Sequence, residues 1–173
     1  GKLCQTSYSK KSFNNKYGVP ISLFNINKED KIGIFEVGMD KKGEIDFLTK
    51  KIMPNIGVIT NISYAHIKNF KNLWGVAQAK SEIINNIAKD GYIILNADDN
   101  FFSFFKSKSI KKKLKIVTFG VKKKSDVNLI KIKKEKSLSI IYINFNKKKL
   151  EFIVKQNLEN YIYNILSTLA VIS

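Results

Sequence analysis

Short apolar runs alternate with helical patterns over the first two-thirds of the chain. Four runs that are rich in branched apolar residues predict strands: 31–37, 55–62, 92–97 and 115–120. Between these runs, the apolar residues of 44–52 and about 73–89 recur at helical spacing, and a short helix is expected after the polar residues 98–100. Strands that alternate with helices are typical of a parallel sheet flanked by helices. The pattern therefore predicts an α/β fold.

The pattern changes after Gly120. Residues 121–155 alternate apolar with polar positions between lysine-rich turns, which predicts two or three antiparallel strands. Residues 156–173 then return to helical spacing. We therefore expect an α/β core in 1–120, a small antiparallel β extension in 121–155 and the start of a closing helix in 156–173.

The chain is strongly basic, with 31 Lys+Arg against 14 Asp+Glu and a formal net charge of +17. Every basic residue is a lysine, whereas proteins that bind nucleic-acid phosphates usually include arginine, which makes planar bidentate contacts. The lysines are also spread along the chain. This distribution favours a solvated surface without a nucleic-acid partner. The alternative is a non-catalytic, basic nucleic-acid-binding module, whose binding would depend strongly on salt.

Cysteine and apolar content indicate a cytoplasmic protein. Cys4 is the only cysteine, so no internal disulfide can form, as expected in a reducing compartment. No apolar run reaches the roughly 18 residues of a membrane span, and the first residues lack the apolar region of a signal peptide. The chain begins without a methionine and ends within an apolar helical pattern. We expect a piece of a longer, monomeric cytoplasmic protein.

One lysine falls on the apolar side of a predicted helix. At about 100° per residue, five apolar residues share one stripe of the 73–89 helix: Leu73, Val76, Ile83, Ile84 and Ile87. Lys80 lies near the middle of this stripe. Because an unpaired buried ammonium is costly, Lys80 either extends past its neighbours to water or is chemically special. A desolvated neutral amine can take up carbon dioxide to form a carbamate, whose oxygens suit Mg²⁺.

Two further residues are expected at the carboxyl edge of the sheet, Glu36 near the end of the first strand and His66 after the second. Glu36 follows Ile32 and Ile34 in the alternation of the first strand, and His66, the only histidine, follows the second strand. Ligands of open α/β sheets bind outside the carboxyl ends of the strands. Together with Lys80, these residues would form a mainly oxygen-rich Mg²⁺ or Mn²⁺ site. The alternatives are an ion pair of Glu36 with a nearby lysine and an ordinary loop or core position for His66.

Polar residues near the predicted turns are expected mainly to stabilise turns and helix ends. Asn14 and Asn15, before a Gly and a Pro, either form a turn or contact phosphate or substrate. Asp40 and Glu44 precede or begin the 44–52 helix and are expected to cap it. The acidic pair 98–99 is most simply the N-cap of the short helix that follows.

Five motifs, in this order and at these gaps, resemble the central domain of the Mur ligases: "NNKYGVP", "FEVGMDKKGEI", "VITNISYAHIKNF", "VAQAKSEI" and "LNADD". The first two resemble most the members that add D-alanyl-D-alanine to a UDP-MurNAc-tripeptide. The resemblance implies a sheet of the P-loop NTPase kind and an ATP-dependent ligase of peptidoglycan precursor synthesis. ATP phosphorylates a substrate carboxylate in this family, and an amine attacks the acyl phosphate to form an amide. Another Mur ligase, or an amide ligase of the folylpolyglutamate synthase type, is the alternative.

The resemblance also implies roles for particular residues. Glu36 and His66 match Mg²⁺ ligands, and Lys80 matches a lysine that many members carry as a carbamate and that supports a second Mg²⁺. Asn157 and Asn160 match residues that approach the adenine. The implied cofactors are ATP and Mg²⁺ or Mn²⁺, and the implied substrates are UDP-MurNAc-tripeptide and D-alanyl-D-alanine.

Three features depart from the family pattern. The chain has no G-x-x-x-x-G-K-S/T, Lys11 and Ser12 replace a Gly-Asn pair, and Gln156 replaces a histidine. The missing motif is the loop that cradles the phosphates of ATP. We therefore expect the chain by itself to be inactive as a ligase.

Overall fold

The computed structural model of the chain describes residues 4–64, 69–122 and 124–173. The elements, in chain order, are β1 (Thr6–Tyr8), α1 (Gly18–Phe24), β2 (Ile32–Ile34), α2 (Glu44–Ile52), β3 (Ile56–Ile59), α3 (Leu73–Lys80), α4 (Ile83–Asn86), β4 (Tyr92–Asn96), α5 (Phe102–Lys111), β5 (Lys115–Gly120), β6 (Val127–Glu135), β7 (Leu138–Phe145), β8 (Lys148–Lys155), a 3₁₀-helix (Gln156–Tyr161) and α6 (Ile162–Val171). None of the helices in these three ranges is both long and apolar enough to cross a membrane.

The described residues form two compact units. The first contains those of Gly1–Pro54 and Tyr64–Asn86, and the second contains those of Asn55–Ser63 and Ile87–Ser173. These bounds differ from the predicted division after Gly120, because that division follows the type of strand and not the compactness of the chain.

The described residues of the first unit form a two-stranded parallel sheet and four α-helices. β1 and β2 pair over three residues each, with Thr6 opposite Ile32. Among the helices, α2 contacts α1, α3 and α4. Leu48 of α2, Val76 of α3 and Ile84 of α4 are all fully buried. The apolar face of α2 is therefore the centre of this unit.

Six strands form the sheet of the second unit, in the order β3-β4-β5-β6-β7-β8. The first four strands pair in parallel, whereas β6, β7 and β8 pair antiparallel. The predicted α/β fold with an antiparallel extension is confirmed. The strand β5 begins and ends at the residues that the apolar run 115–120 indicated.

One apolar core joins the parallel and antiparallel parts of this sheet to α6. Its fully buried members are Ile94, Phe119, Val127, Ile141, Ile143, Leu166 and Ala170. Ile141 and Ile143 are alternate residues of β7, as a strand with one buried face requires. Leu166 and Ala170 are four residues apart and lie on one face of α6. Because both kinds of strand contribute to one core, the extension is an integral part of the second unit.

Asp98, directly after β4, binds two other parts of the second unit. Its Oδ2 atom accepts hydrogen bonds from the N–H groups of Val121 (2.5 Å) and Lys122 (3.0 Å) after β5. The same oxygen accepts a bond from the hydroxyl group of Tyr163 in α6 at 3.1 Å. The prediction that Asp98 caps the following helix is wrong, because the N-cap of α5 is Phe101.

Tyr163→Phe is expected to lower the free energy of unfolding near neutral pH by roughly 1–2 kcal/mol, since a hydrogen bond to a charged group is lost. Burial and the neighbouring Asp98 carboxylate raise the pKa of Tyr163. The raised pKa stabilises the folded state fully at pH values below the pKa of an unfolded tyrosine, about 10. This stabilisation is lost as the pH rises through the pKa of Tyr163 in the folded protein. In urea unfolding, the advantage of the wild type should therefore shrink as the pH is raised above about 10.

The control is Tyr161→Phe, because Tyr161 is exposed two residues earlier in the chain. A wild-type advantage over Tyr163→Phe that stays constant over the same pH range would contradict the role of the Asp98 contact.

The first predicted strand is shorter and more exposed than its apolar run suggests. Within the described part of the chain, β2 pairs with β1 and not with β3, which belongs to the six-stranded sheet. Ile32 and Ile34 are 48% and 60% exposed. The expectation that the 31–37 run forms a strand of the same parallel sheet as the three later runs is therefore wrong for the described residues. Only three residues of the 31–37 run join a ladder, because its continuation forms a loop that bonds to an earlier segment, through the N–H group of Gly38.

The predicted helix 73–89 consists of two helices. α3 ends at Lys80, and α4 begins at Ile83. Between them, the N–H group of Glu82 donates to a carbonyl three residues earlier, at 3.0 Å, as in a 3₁₀ turn. The hydroxyl group of Ser81 also donates to a backbone carbonyl, at 2.6 Å. Such local bonds compete with the regular helical bonds and explain the break.

Candidate functional site

Lys80 is half-buried at the C-terminal end of α3. Two neighbours on its predicted stripe, Val76 and Ile84, are buried, whereas Lys71 and Lys89 are exposed as predicted for the polar side. The partial burial of Lys80 agrees with a place at the apolar stripe. It distinguishes this residue from the exposed lysines on either side of it in sequence.

Asn14 orients the carboxylate of Glu36. The Nδ2 atom of Asn14 donates to Oε1 of Glu36 at 3.0 Å, and the N–H group of Gly38 donates to the carbonyl of Asn14 at 2.7 Å. A Cβ atom at Gly38 would lie only 3.0 Å from Cγ of Asn14, so glycine allows this close approach. Glu36 itself is exposed in the loop after β2 and is not part of a strand as predicted. Carboxylates that bind metal ions are commonly held in place by a hydrogen bond from an outer side chain, as Asn14 holds Glu36.

Asn15 forms a turn, which is one of its two predicted roles. Its Oδ1 atom accepts hydrogen bonds from the N–H groups of Tyr17 and Gly18, both at 3.0 Å. Gly18 is the first residue of α1. The side chain of Asn15 therefore satisfies backbone groups where α1 begins.

Residues 38–43 form a loop whose N–H groups bind carboxylates. Oε2 of Glu44 accepts bonds from the N–H groups of Asp40 (2.6 Å) and Lys41 (3.0 Å). These backbone bonds hold the pKa of Glu44 below its usual range. Gly43, the N-cap of α2, has a φ angle of 92°, in the left-handed region that favours glycine. Because glycine has no side chain, α2 must be capped from elsewhere.

Glu82 provides this cap, and the sequence pattern did not indicate it. The side chain is buried, its Oε1 atom accepts a bond from the N–H group of Gly43 at 2.8 Å, and its Oε2 atom accepts one from Asp46 at 3.1 Å. On one continuous helix, Glu82 would lie about 200° from Lys80, on the polar side. The break after Lys80 changes that direction. Gly43 before an amphipathic helix was the available signal, since a helix that begins at glycine needs an outside partner.

His66 lies outside the described residues, so its role stays a prediction. Asn69, three residues later, is described, and its Nδ2 atom donates to Oδ1 of Asp40 at 3.4 Å. The prediction that Asp40 caps α2 is wrong. The N-cap residue is Gly43, and its N–H group is bound by Glu82. Asp40 instead links the 38–43 loop to the segment that follows His66.

The described ranges hold no group of three or more His, Cys, Asp and Glu side chains that could bind a metal ion. The predicted site is of a different kind, since it combines Glu36 with His66 and with a modified Lys80. Glu36 and Lys80 both belong to the first unit.

Asn157 and Asn160 lie exposed in the 3₁₀-helix before α6, in the second unit. Residues three apart in a 3₁₀-helix lie on the same side, because this helix has about three residues per turn. The two amides can therefore offer donors and acceptors to one ligand.

Comparison with known proteins shows the family of the chain. The sequence model described as Mur ligase middle domain matches residues 1–172. The UDP-N-acetylmuramoyl-tripeptide–D-alanyl-D-alanine ligase of Buchnera aphidicola subsp. Baizongia pistaciae is 41% identical over 116 residues, which are 67% of this chain and 25% of that ligase. The chain thus spans about a quarter of the length of this relative.

Two solved structures share the fold. MurF from Acinetobacter baumannii aligns with a TM-score of 0.90 and 26% identity, over 98% of this chain and 37% of that one. The MurF ligase of Thermotoga maritima in complex with ADP aligns with a TM-score of 0.82 and 20% identity, over 98% of this chain and 39% of that one. By its match over nearly all of its length, the chain belongs to the Mur ligase middle domain family.

Proposed function

We propose that the chain is the ATP-handling central part of a ligase that adds D-alanyl-D-alanine to a UDP-MurNAc-tripeptide in peptidoglycan precursor synthesis. The observation that carries this proposal is the 41% identity over 116 residues to a ligase of that name. The fold shared with two MurF structures supports it, and one of these holds ADP. A cytoplasmic location, where ATP is available, is part of the same proposal.

The proposed reaction makes an amide in two steps. A carboxylate oxygen of the tripeptide attacks the γ-phosphorus of ATP, the bond to ADP breaks, and an acyl phosphate results. The amine of D-alanyl-D-alanine then attacks the acyl carbon and loses a proton, and phosphate leaves with the oxygen that bridged it. In the first step, charge is spread over the transferred phosphoryl oxygens, so catalysis depends on positioning and on charge stabilisation.

The metal of this site is proposed to be held by Glu36, by His66 and by Lys80 in its carbamate form. Bound Mg²⁺ or Mn²⁺ would neutralise charge on the phosphoryl oxygens. The donor set fits, because Glu36 offers an exposed carboxylate with Asn14 at 3.0 Å, and hard cations prefer oxygen ligands. Lys80, half-buried at the end of α3, contributes oxygens once its amine has taken up carbon dioxide.

The nucleotide and the sugar-nucleotide substrate are both polyanions. The net charge of +17 supports their attraction to the chain at long range. Asn157 and Asn160, on one side of the 3₁₀-helix, are proposed to contact the adenine ring with their amide groups.

Asn14→Ala in the full-length ligase is expected to raise the Mg²⁺ concentration for half-maximal activity by about 10-fold, as loss of an outer partner of a metal ligand does. The physical reason is that the Glu36 carboxylate loses the amide that orients it. The matched control is Asn15→Ala, since Asn15 binds the start of α1 instead. Equal Mg²⁺ dependence of Asn14→Ala and the wild type would contradict the role of Asn14.

The proposed function is tested by a substrate panel on the full-length protein that contains these residues. Purified protein, ATP and Mg²⁺ are incubated with UDP-MurNAc-tripeptide and D-alanyl-D-alanine, and separately with folate and glutamate, and the products are identified by mass spectrometry. Amide formation with D-alanyl-D-alanine supports the proposal. Extension of folate with glutamate instead would assign the protein to the other type of amide ligase.

A further inference from the structure

A buried carboxylate connects two segments of the first unit. Glu82 is 8% exposed and accepts one backbone N–H bond on each oxygen, from Gly43 at 2.8 Å and from Asp46 at 3.1 Å. Both donors belong to the first turn of α2, where N–H groups have no partner within the helix and the helix dipole favours negative charge. Because bonds to a charged group are the strong ones, this contact fixes the turn after α3 against the start of α2.

The 38–43 loop, which precedes α2, bonds to three residues that contact a proposed ligand or lie close to one in sequence: Asn14, Asn69 and Glu82. Asn14, the partner of Glu36, accepts a bond from Gly38 at 2.7 Å. Asn69, three residues after His66, donates to Asp40 at 3.4 Å. Glu82, two residues after Lys80, accepts its bond from Gly43 at the other end of the loop. Three segments that are distant in sequence therefore share this loop as a partner.

The position of Lys80 depends on tertiary contacts that fix the end of α3. This lysine is the last residue of α3, and the helix breaks directly after it. The end of a short helix is free to fray unless tertiary contacts fix it. Glu82 is the buried charged residue of the turn that follows, and its bonds to Gly43 and Asp46 fix that turn.

We infer that Glu82 is a positioning residue for Lys80, through its bonds to the N–H groups of Gly43 and Asp46. This inference rests on the proposed function, since it concerns the lysine of the proposed metal site. Glu82 does not touch substrate or metal in this role. It keeps the Lys80 end of α3 at a constant place relative to the loop that follows Glu36.

Glu82→Ala and Glu82→Gln in the full-length ligase test the inference. The alanine removes both acceptors, whereas glutamine keeps one carbonyl oxygen and places its amide NH₂ group against the second N–H. We expect kcat to fall by about 10- to 100-fold in Glu82→Ala and less in Glu82→Gln, with an unchanged KM for D-alanyl-D-alanine. Binding of Mn²⁺ alone, measured by electron paramagnetic resonance in bicarbonate buffer, is expected to weaken by about 10-fold in Glu82→Ala.

Asn86→Ala is the matched control for a merely structural role. The Nδ2 atom of Asn86 donates to the carbonyl and the Oδ1 atom of Asp46 and to Oγ1 of Thr49, so it also fixes the segment after Lys80 to α2. It does so away from the 38–43 loop. This variant is expected to lose stability while it keeps the Mn²⁺ affinity and the kcat of the wild type.

The outcomes separate the inference from the proposed function. Wild-type Mn²⁺ affinity and kcat in both Glu82 variants, or the same losses in Asn86→Ala, would overturn the positioning role. If Glu82→Ala fails to fold, the comparison of Glu82→Gln with Asn86→Ala decides in the same way. A wild-type protein that binds Mn²⁺ but ligates nothing would contradict the proposed function, while weaker Mn²⁺ binding by Glu82→Ala would still support the positioning role.

Discussion

Lys80→Ala in the full-length protein is expected to lower the kcat of the proposed ligase reaction by about 10²–10³-fold, the loss that follows removal of one group that stabilises developing charge. The carbamate proposed on Lys80 would act on the phosphoryl oxygens through the metal, where charge develops during transfer. The loss should therefore appear in kcat and kcat/KM together, and not in the KM for D-alanyl-D-alanine. Release of ADP under saturating substrates measures it.

Two further variants separate the carbamate from the charge of the lysine. Lys80→Arg keeps a positive charge, but a guanidinium does not form a stable carbamate, so this variant is expected to be as inactive as Lys80→Ala. Lys89→Ala is the control, because Lys89 is exposed in the same segment of sequence. Near wild-type activity of Lys80→Arg would contradict the carbamate role.

Phe119→Ala is expected to lower the free energy of unfolding by about 3–5 kcal/mol, the usual cost of removing a buried phenyl ring. Phe119 is 0% exposed at the end of β5 and packs in one core with residues of β7 and α6. The loss is a large part of the roughly 5–15 kcal/mol by which a domain is stable. Urea unfolding followed by far-ultraviolet circular dichroism measures it.

The control for this change is Phe24→Ala, because Phe24 is 90% exposed. It is expected to alter stability by no more than about 0.5 kcal/mol. If Phe119→Ala were no more destabilising than Phe24→Ala, the shared core of parallel strands, antiparallel strands and α6 would be contradicted.

Local periodicity predicted the elements that have strong signals of their own. α2 begins and ends at Glu44 and Ile52, as its helical spacing indicated, and acidic residues in its first turn and lysines in its last suit the helix dipole. The change to antiparallel pairing after Gly120 was visible in the period of two and in the lysine-rich turns. The family was visible too, because five motifs in register are far more specific than any one of them, and the match over residues 1–172 confirms it.

Pairing partners were beyond the reach of the same signals. The apolar run at 31–37 resembles a buried strand, yet only Ile32–Ile34 joins a ladder, and its partner is β1. Which strands pair depends on contacts between distant segments, whereas an apolar run reports only that a segment is apolar. The break between α3 and α4 has a local cause, but a hydroxyl group that bonds to the backbone leaves no mark on apolar spacing.

Two carboxylates have partners that are distant in sequence and could not be predicted. Glu82 bonds to residues more than 30 positions earlier, and Asp98 bonds to Tyr163 in α6. From sequence, a charged residue next to a helix is read as a cap of that helix or as a solvated residue. Only the fold shows that these two side chains bind backbone and hydroxyl donors elsewhere. Asn14 and Asn15 show the opposite case, since adjacent residues of one type have separate roles, one at Glu36 and one at α1.

The most direct test of the central claim, that these residues serve a ligase that activates a carboxylate with ATP, follows an oxygen atom. The full-length protein is incubated with ATP, D-alanyl-D-alanine and a UDP-MurNAc-tripeptide whose reacting carboxylate carries oxygen-18. If an acyl phosphate forms, the bridging oxygen leaves with the phosphate, and mass spectrometry will find the label in the inorganic phosphate released as the amide forms. Amide formation with unlabelled phosphate, or with the label in AMP, would contradict it.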